Sequence, residues 1–204
     1  YRAFRTRYLD RRTVVYAGAN DGLLHAFNGG FYTTETLEAG TDKEQTLMKY
    51  SVSGATPDGT AAVEHPLGAE LWAYAPGNLL PHLQWLKAPE YGANNTHVSY
   101  VDGRPRVFDA RIFPEDTDHP KGWGTLLVVG MGQGGGSMEL TGFSPSYYTH
   151  SAYVVFDVTN PEKPPVLLGE IPLPDATFTT MYPAAVAFQD RGSATTCNGS
   201  ACND

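Results

Sequence analysis

The sequence predicts an all-β chain built from blades of a β-propeller. Three observations carry that reading. The stretch Val14 to Trp72 runs VVYAGANDGLLHAF, a polar excursion, then GAELWAYAP. This is strand, tight turn, strand, and a third strand ending near a tryptophan. A similar strand–turn–strand–Gly–strand order recurs from about residue 106 to 171, a weak internal repeat. Gly 22 and Pro 15 among 204 residues, above average usage, suit many short strands joined by turns. Twelve Tyr and nine Phe favour strands as well.

Taken in order, residues 1–12 are polar and poorly patterned, and read as the end of an earlier strand. They hold Arg2, Arg5, Arg7, Arg11 and Arg12 against Asp10 alone. This cluster reads as a solvated strand edge or linker rather than a binding patch. Val14 to Ala17 is a β-rich run. Gly18 to Gly22 is a tight turn, because Asn, Asp and Gly tolerate positive φ. Leu23 to Phe27 returns as a strand, on which His25 reads as a core or inter-blade histidine. Residues 28–66 show little periodicity and form a long insertion on a rim, with Asp58-Gly59 as a turn and 48–52 as a short strand. Glu70 to Ala75 resumes the blade, and Trp72 is expected to pack between neighbouring blades. Asn78 is placed as the cap of a short helix, with Leu79, Leu80, Leu83 and Leu86 at helical spacing and Pro81 in the first turn.

Beyond the helix, Asp102-Gly103 reads as a hairpin turn and 107–112 as the innermost strand of the next blade. Residues 115–122 form a polar turn, and Thr125 to Val129 a buried strand. The glycine-rich 130–136 follows, then a second insertion at 137–150. Ser151 to Val158 alternates, with Val154, Phe156 and Val158 on one face, and Val166 to Ile171 closes the blade. A further blade is expected to begin at 184–188. The chain therefore reads as one partial propeller domain over 1–204, covering about two blades and the start of a third. Closure takes roughly four to eight blades.

Several function classes are excluded or weakened. A net charge of −8 argues against a general nucleic-acid binder. No apolar run approaches the roughly 18 residues of a membrane span. No signal peptide is visible, and the chain opens at Tyr1, so it is expected to be a processed or excised piece. Gly130-Met131-Gly132-Gln133-Gly134-Gly135 fits G-x-G-x-x-G after a strand. Gly142 and Pro145 stand where a dinucleotide site needs a helix, so a flexible or closely packed β-turn is expected. No two histidines stand at metal-ligand spacing, and no Gly-x-Ser-x-Gly elbow occurs. Cys197 and Cys202 flank a turn-forming Asn-Gly-Ser and are expected to close a small disulfide loop, with free thiols or a metal as alternatives. A disulfide would place the protein outside the cytoplasm.

The wording then becomes specific. VVYAGANDGLLHAF, ELWAYAP, LLPHLQWL, YVDGRP (Tyr100 to Pro105), WGTLLVVGMGQGG (Trp123 to Gly135) and VFDVT (Val155 to Thr159) occur in that order. Together they closely resemble the quinoprotein-like C-terminal β-propeller of the PilC/PilY family, the type IV pilus tip-associated adhesins and biogenesis proteins, over about residues 13–171. The resemblance implies a secreted, non-enzymatic surface protein of piliated bacteria that supports pilus assembly by opposing retraction, and that takes part in adhesion. It implies as partners the minor pilins or pilus tip, host or surface ligands and the remainder of its own propeller. In some members a calcium ion in an Asp-rich loop controls this activity. No Asp-x-Asp-x-Asp-Gly loop occurs here. Asp116-Thr117-Asp118 is the nearest approach and lacks a distal Glu, so calcium is expected downstream and no cofactor in this segment. A pyrroloquinoline quinone dehydrogenase is the rival from another class, and a generic extracellular or carbohydrate-binding scaffold the third reading. The quinoprotein enzymes generally stack their cofactor on adjacent cysteines, which Cys197 and Cys202 are not. The contact candidates are Asp42, Lys43 and Glu44 in the first insertion and Tyr147 and Tyr148 in the second, chosen for length and exposure.

Overall fold

A computed structural model describes residues 1–93, 96–142 and 144–183, together with the short strand pair Thr196–Cys197 and Ser200–Ala201. Two antiparallel sheets carry the fold. In the first, β1 (Thr13–Gly18) pairs with β2 (Leu24–Leu37), and β2 pairs with β4 (Glu70–Tyr74). In the second, β5 (Arg106–Arg111), β6 (Trp123–Gly130), β9 (Ala152–Asp157) and β10 (Val166–Pro172) lie side by side in sequence order. The β1–β2 turn is as its residues require. Gly22 has φ of 93°, and the Asp21 carboxylate accepts the Leu23 N–H at 2.9 Å.

The sheets face each other across one apolar core. Leu24, Leu127, Val129, Val154 and Phe156 are buried in it. Trp72 and Tyr74 of β4 meet the Phe156 ring of β9 at centroid distances of 5.8 and 4.9 Å, and Tyr16 packs on Trp72 at 5.7 Å. Trp72 thus packs between two sheets, as its place in the sequence predicts. The alternation of β9 also holds, since Ala152, Val154 and Phe156 are buried while Tyr153, Val155 and Asp157 are half-buried.

Three expectations fail. Residues 1–12 do not end a strand. Arg2–Tyr8 is an α-helix, α1, which buries Phe4 and Tyr8, one turn apart, on a single face. Asp102-Gly103 is not a hairpin turn. Val101 N–H bonds Ala19 of the first sheet's turn, and Asp102 N–H bonds Met131 beyond the second sheet, so the segment threads between the sheets. The short helix expected after β4 is present as a 3₁₀ run, Gly77–Lys87, that buries Leu79, packs Leu83 and Leu86 against the core and leaves Leu80 exposed. Pro81 within it lacks the N–H that an α-helical ladder would use. Asn78 is not its cap either. Its amide donates to the His150 carbonyl at 2.8 Å.

Both insertions are β-hairpins. In the first, β2 runs on past the sheet and pairs with β3 (Gln45–Ser51) as a two-stranded ribbon. In the second, β7 (Met138–Leu140) pairs with β8 (Tyr147–Thr149). Because β2 is antiparallel to β4, the ribbon leaves the first sheet at the end opposite the 3₁₀ helix. Of the two alternatives for the glycine-rich 130–136, flexible or closely packed, the structure shows the closely packed one. A Cβ on Gly134 would overlap the Tyr100 carbonyl, and the strand β7 follows it rather than a helix. The blade expected at 184–188 lies outside the described residues, as does Cys202 and with it the expected disulfide.

Candidate functional site

The contact candidates fall at two separate places. Asp42, Lys43 and Glu44 sit at the exposed tip of the β2–β3 ribbon. The tip is ordered by its own backbone: Thr41 N–H bonds the Glu38 carbonyl, and Glu44 Oε2 accepts the Gly40 N–H at 2.7 Å. Register divides the ribbon into two unlike faces. One carries the Lys49–Glu35 ion pair. The other carries no charge: Tyr32 lies opposite Tyr50, with ring centroids 6.0 Å apart, and Thr34 opposite Met48. Tyr147 and Tyr148 lie exposed on β8, opposite Leu140 and Glu139.

The base of the ribbon is structural. Arg12 is 3% exposed. Its guanidinium holds Glu162 through Nε and NH2 at 2.8 and 3.0 Å, donates to Asn28 Oδ1 at 2.8 Å and to the Val63 carbonyl at 2.6 Å, and covers the Phe31 ring. Asn28 in turn donates to the carbonyls of His65 and Pro66. One arginine therefore ties both ends of the insertion to the β9–β10 loop of the other sheet. Arg11 does similar work beside it, donating to Thr125 Oγ1 and the Thr159 carbonyl. These two residues are not a solvated strand edge. The signal that could have found them was an Arg-Arg pair immediately before a strand, in a chain with an excess of carboxylates. A cleft of about 440 Å³ lies between α1 and the two sheets, walled by Arg5, Tyr8, Tyr16 and Asp109 among others. Burial pushes the Tyr8 and Tyr16 phenols up to about 12.

Histidines on this scaffold bridge carboxylates. His25 is not in the core. Its Nδ1 lies 2.6 Å from Glu70 and its Nε2 2.9 Å from Asp21, and the Glu70 hydrogen bond, partly offset by burial and aided by Asp21, raises its pKa. His119 spans Asp116 and Asp157, at 2.9 Å each, and stacks on Phe113. Asp118 pairs with Lys163 and accepts from Asn160. The Asp116–Asp118 stretch is therefore occupied by protein partners. Among the described residues, no three His, Cys, Asp or Glu are grouped to hold a metal ion, and no helix is long and apolar enough to cross a membrane.

A second cleft, of about 680 Å³, opens at the end of the sheets that carries the 3₁₀ helix and the β7–β8 hairpin. Trp85, Gln133, Ser137, Met138 and Phe178 are in its wall.

Comparison with known proteins then decides the relationship. Over 138 residues, 67% of its length, the chain is 32% identical to a type IV pilus biogenesis factor PilY1 homolog of Xylella fastidiosa (strain Temecula1). Over 135 residues, 66% of its length, it is 30% identical to a second protein of that description from the same organism. The chain belongs to the PilY family. The matches cover 6% and 7% of those relatives, so this PilY-family chain spans a small part of their length. No protein-family model matches it, and no solved structure does.

Proposed function

We propose that this PilY-family segment is part of a β-propeller in a non-enzymatic, surface-exposed protein that supports type IV pilus assembly by opposing retraction, and that contributes to adhesion. The single observation that carries the reading is the relationship to two type IV pilus biogenesis factors over two thirds of the chain. The fold supports it. Two antiparallel meanders stacked face to face, with an aromatic from one set against an aromatic of the other, suit neighbouring blades. The far face of the second sheet is largely apolar: Leu126, Val128, Val155, Val166 and Ile171 share it by register, beside Arg106 and Asp157, with Val166 and Ile171 exposed. Such a face suits a further sheet of the same propeller. The domain would then run through 1–204, with 28–66 and 137–150 as its insertions. Calcium control, where it operates, would reside in a loop outside this segment.

The partners in this reading are the minor pilins or pilus tip, through the ribbon tip at Asp42 to Glu44 and the Tyr147–Tyr148 strand. The test is genetic. Deleting the gene should remove surface pili as counted by electron microscopy, and blocking the retraction motor in the same strain should restore them. Pili that persist with attachment intact would show that the family fold has been kept without the role.

A further inference from the structure

We infer that the cleft between the 3₁₀ helix and the β7–β8 hairpin is a binding site for an uncharged saccharide. The inference rests on the lining of this cleft and holds or fails independently of the pilus role. The cleft's volume of about 680 Å³ lies within the range of small-ligand sites. Its composition is unusual for this chain. Charged residues make up 18% of the sequence, yet no Asp, Glu, Lys or Arg is among the described residues that line the cleft, where His82 and His97 are the titratable groups. Among the described residues the cleft therefore holds no permanently charged partner for a phosphate, a carboxylate or a cation.

Two large aromatic rings line it. Trp85 is 46% and Phe178 55% exposed, so each offers an open ring face. A sugar ring presents a face of C–H groups to such a surface and a rim of hydroxyls to polar neighbours, and aromatic side chains suit an amphipathic ligand of this kind. The polar neighbours are present. Gln133, Ser99 and Ser137 line the same space, and their side chains make no hydrogen bond to other described residues. They offer donors and acceptors of both kinds without charge, which is the set that reads hydroxyl groups.

The walls are held in place before any ligand arrives. Trp85 belongs to the helix anchored by buried Leu79. Phe178 stands beside Gly136, and the next residue, buried Thr179, accepts the Gly132 N–H at 2.7 Å. His82 closes the inner side, 3.5 Å from Thr149 of β8, and its burial lowers its pKa so that it adds no charge at neutral pH. Such pre-organisation lowers the ordering cost of binding.

The test is an NMR titration of the purified full chain with D-galactose, N-acetyl-D-glucosamine and maltose, and with N-acetylneuraminic acid as the charged comparator. The Trp85 indole N–H resonance is the reporter, assigned through Trp85→Phe. At least one neutral sugar should move it with a dissociation constant in the region of about 1–10 mM, and N-acetylneuraminic acid should bind more weakly. Followed by the Ser99 and Gln133 amide resonances, Trp85→Ala should weaken binding about tenfold, while Trp85→Phe should stay within about threefold. Gln133→Ala should weaken it about fivefold. Unchanged thermal melting of all three variants is expected, because both side chains are exposed. No shift with any of the neutral sugars, equal or tighter binding of N-acetylneuraminic acid, or undiminished binding by Trp85→Ala would each overturn the assignment.

Discussion

Replacing Arg12 with alanine should be the most damaging single change to the polar junction. The guanidinium is buried, and it makes two bonds to Glu162 and one each to Asn28 and the Val63 carbonyl. In Arg12→Ala, the Glu162 carboxylate, whose side chain is only 13% exposed, loses its counter-charge. Removing one partner of such a pair costs about 3–5 kcal/mol, a large share of the roughly 5–15 kcal/mol that holds a domain folded. With a urea dependence of about 2 kcal/mol per molar, the unfolding midpoint should fall by about 2 M. The paired change Arg12→Met with Glu162→Leu should recover most of the loss, since two apolar side chains leave no orphaned charge. Equilibrium urea unfolding followed by tryptophan fluorescence reads both. If Arg12→Ala moves the midpoint by less than about 0.5 M, the guanidinium is not the tie between the insertion and the second sheet.

Three further outcomes follow from the same structure. Phe156→Ala removes the ring that receives Trp72 and Tyr74 and should cost about 3–5 kcal/mol in the same assay, whereas a loss under 1 kcal/mol, in the range of surface changes, would mean the sheets do not depend on this contact. The raised pKa of His25 fixes a pH dependence. Its bridge to Glu70 and Asp21 is at full strength below the ordinary histidine range near about 6.5 and is lost as pH rises through the higher folded value. An NMR titration should place the His25 midpoint above that of a free histidine and Glu70→Gln should lower it; a midpoint unmoved by Glu70→Gln contradicts the bridge. Shortening the ribbon by replacing 37–45 with a two-residue turn should leave the melting temperature unchanged, because this part is exposed on both faces, while removing the 28–66 insertion entirely should unfold the chain through loss of Asn28, Phe31 and the Val63 carbonyl.

The sheets were largely legible in the sequence because they rest on local signals. Asn20-Asp21-Gly22 announces the β1–β2 turn, and the alternation at 152–157 tells which side of β9 is buried. Trp72 marked the sheet-to-sheet contact through the wording of its strand. What escaped was set by contacts distant in sequence. The helix α1 shows only one apolar pair, Phe4 and Tyr8, and its burial depends on partners such as the Asp118 carbonyl that accepts the Tyr8 hydroxyl. Arg12 looks like any surface arginine until Glu162 is brought 2.8 Å from it. His25 was expected in the core or between blades from strand alternation, but β4 brings Glu70 alongside it, which sets it in an ion-pair bridge at the sheet rather than in the apolar core. The uncharged cleft was invisible for the same reason, since Trp85, Gln133 and Phe178 are joined by no motif.

The most direct test of the account removes the segment rather than the gene. In a strain whose only copy of the protein lacks residues 13–171, surface pili should be counted by electron microscopy, with an immunoblot confirming that the remainder is still made and exported. The account predicts cells as bald as the full deletion, with pili returning when retraction is blocked. Normal numbers of pili in that strain would contradict the claim that this pair of sheets takes part in pilus biogenesis.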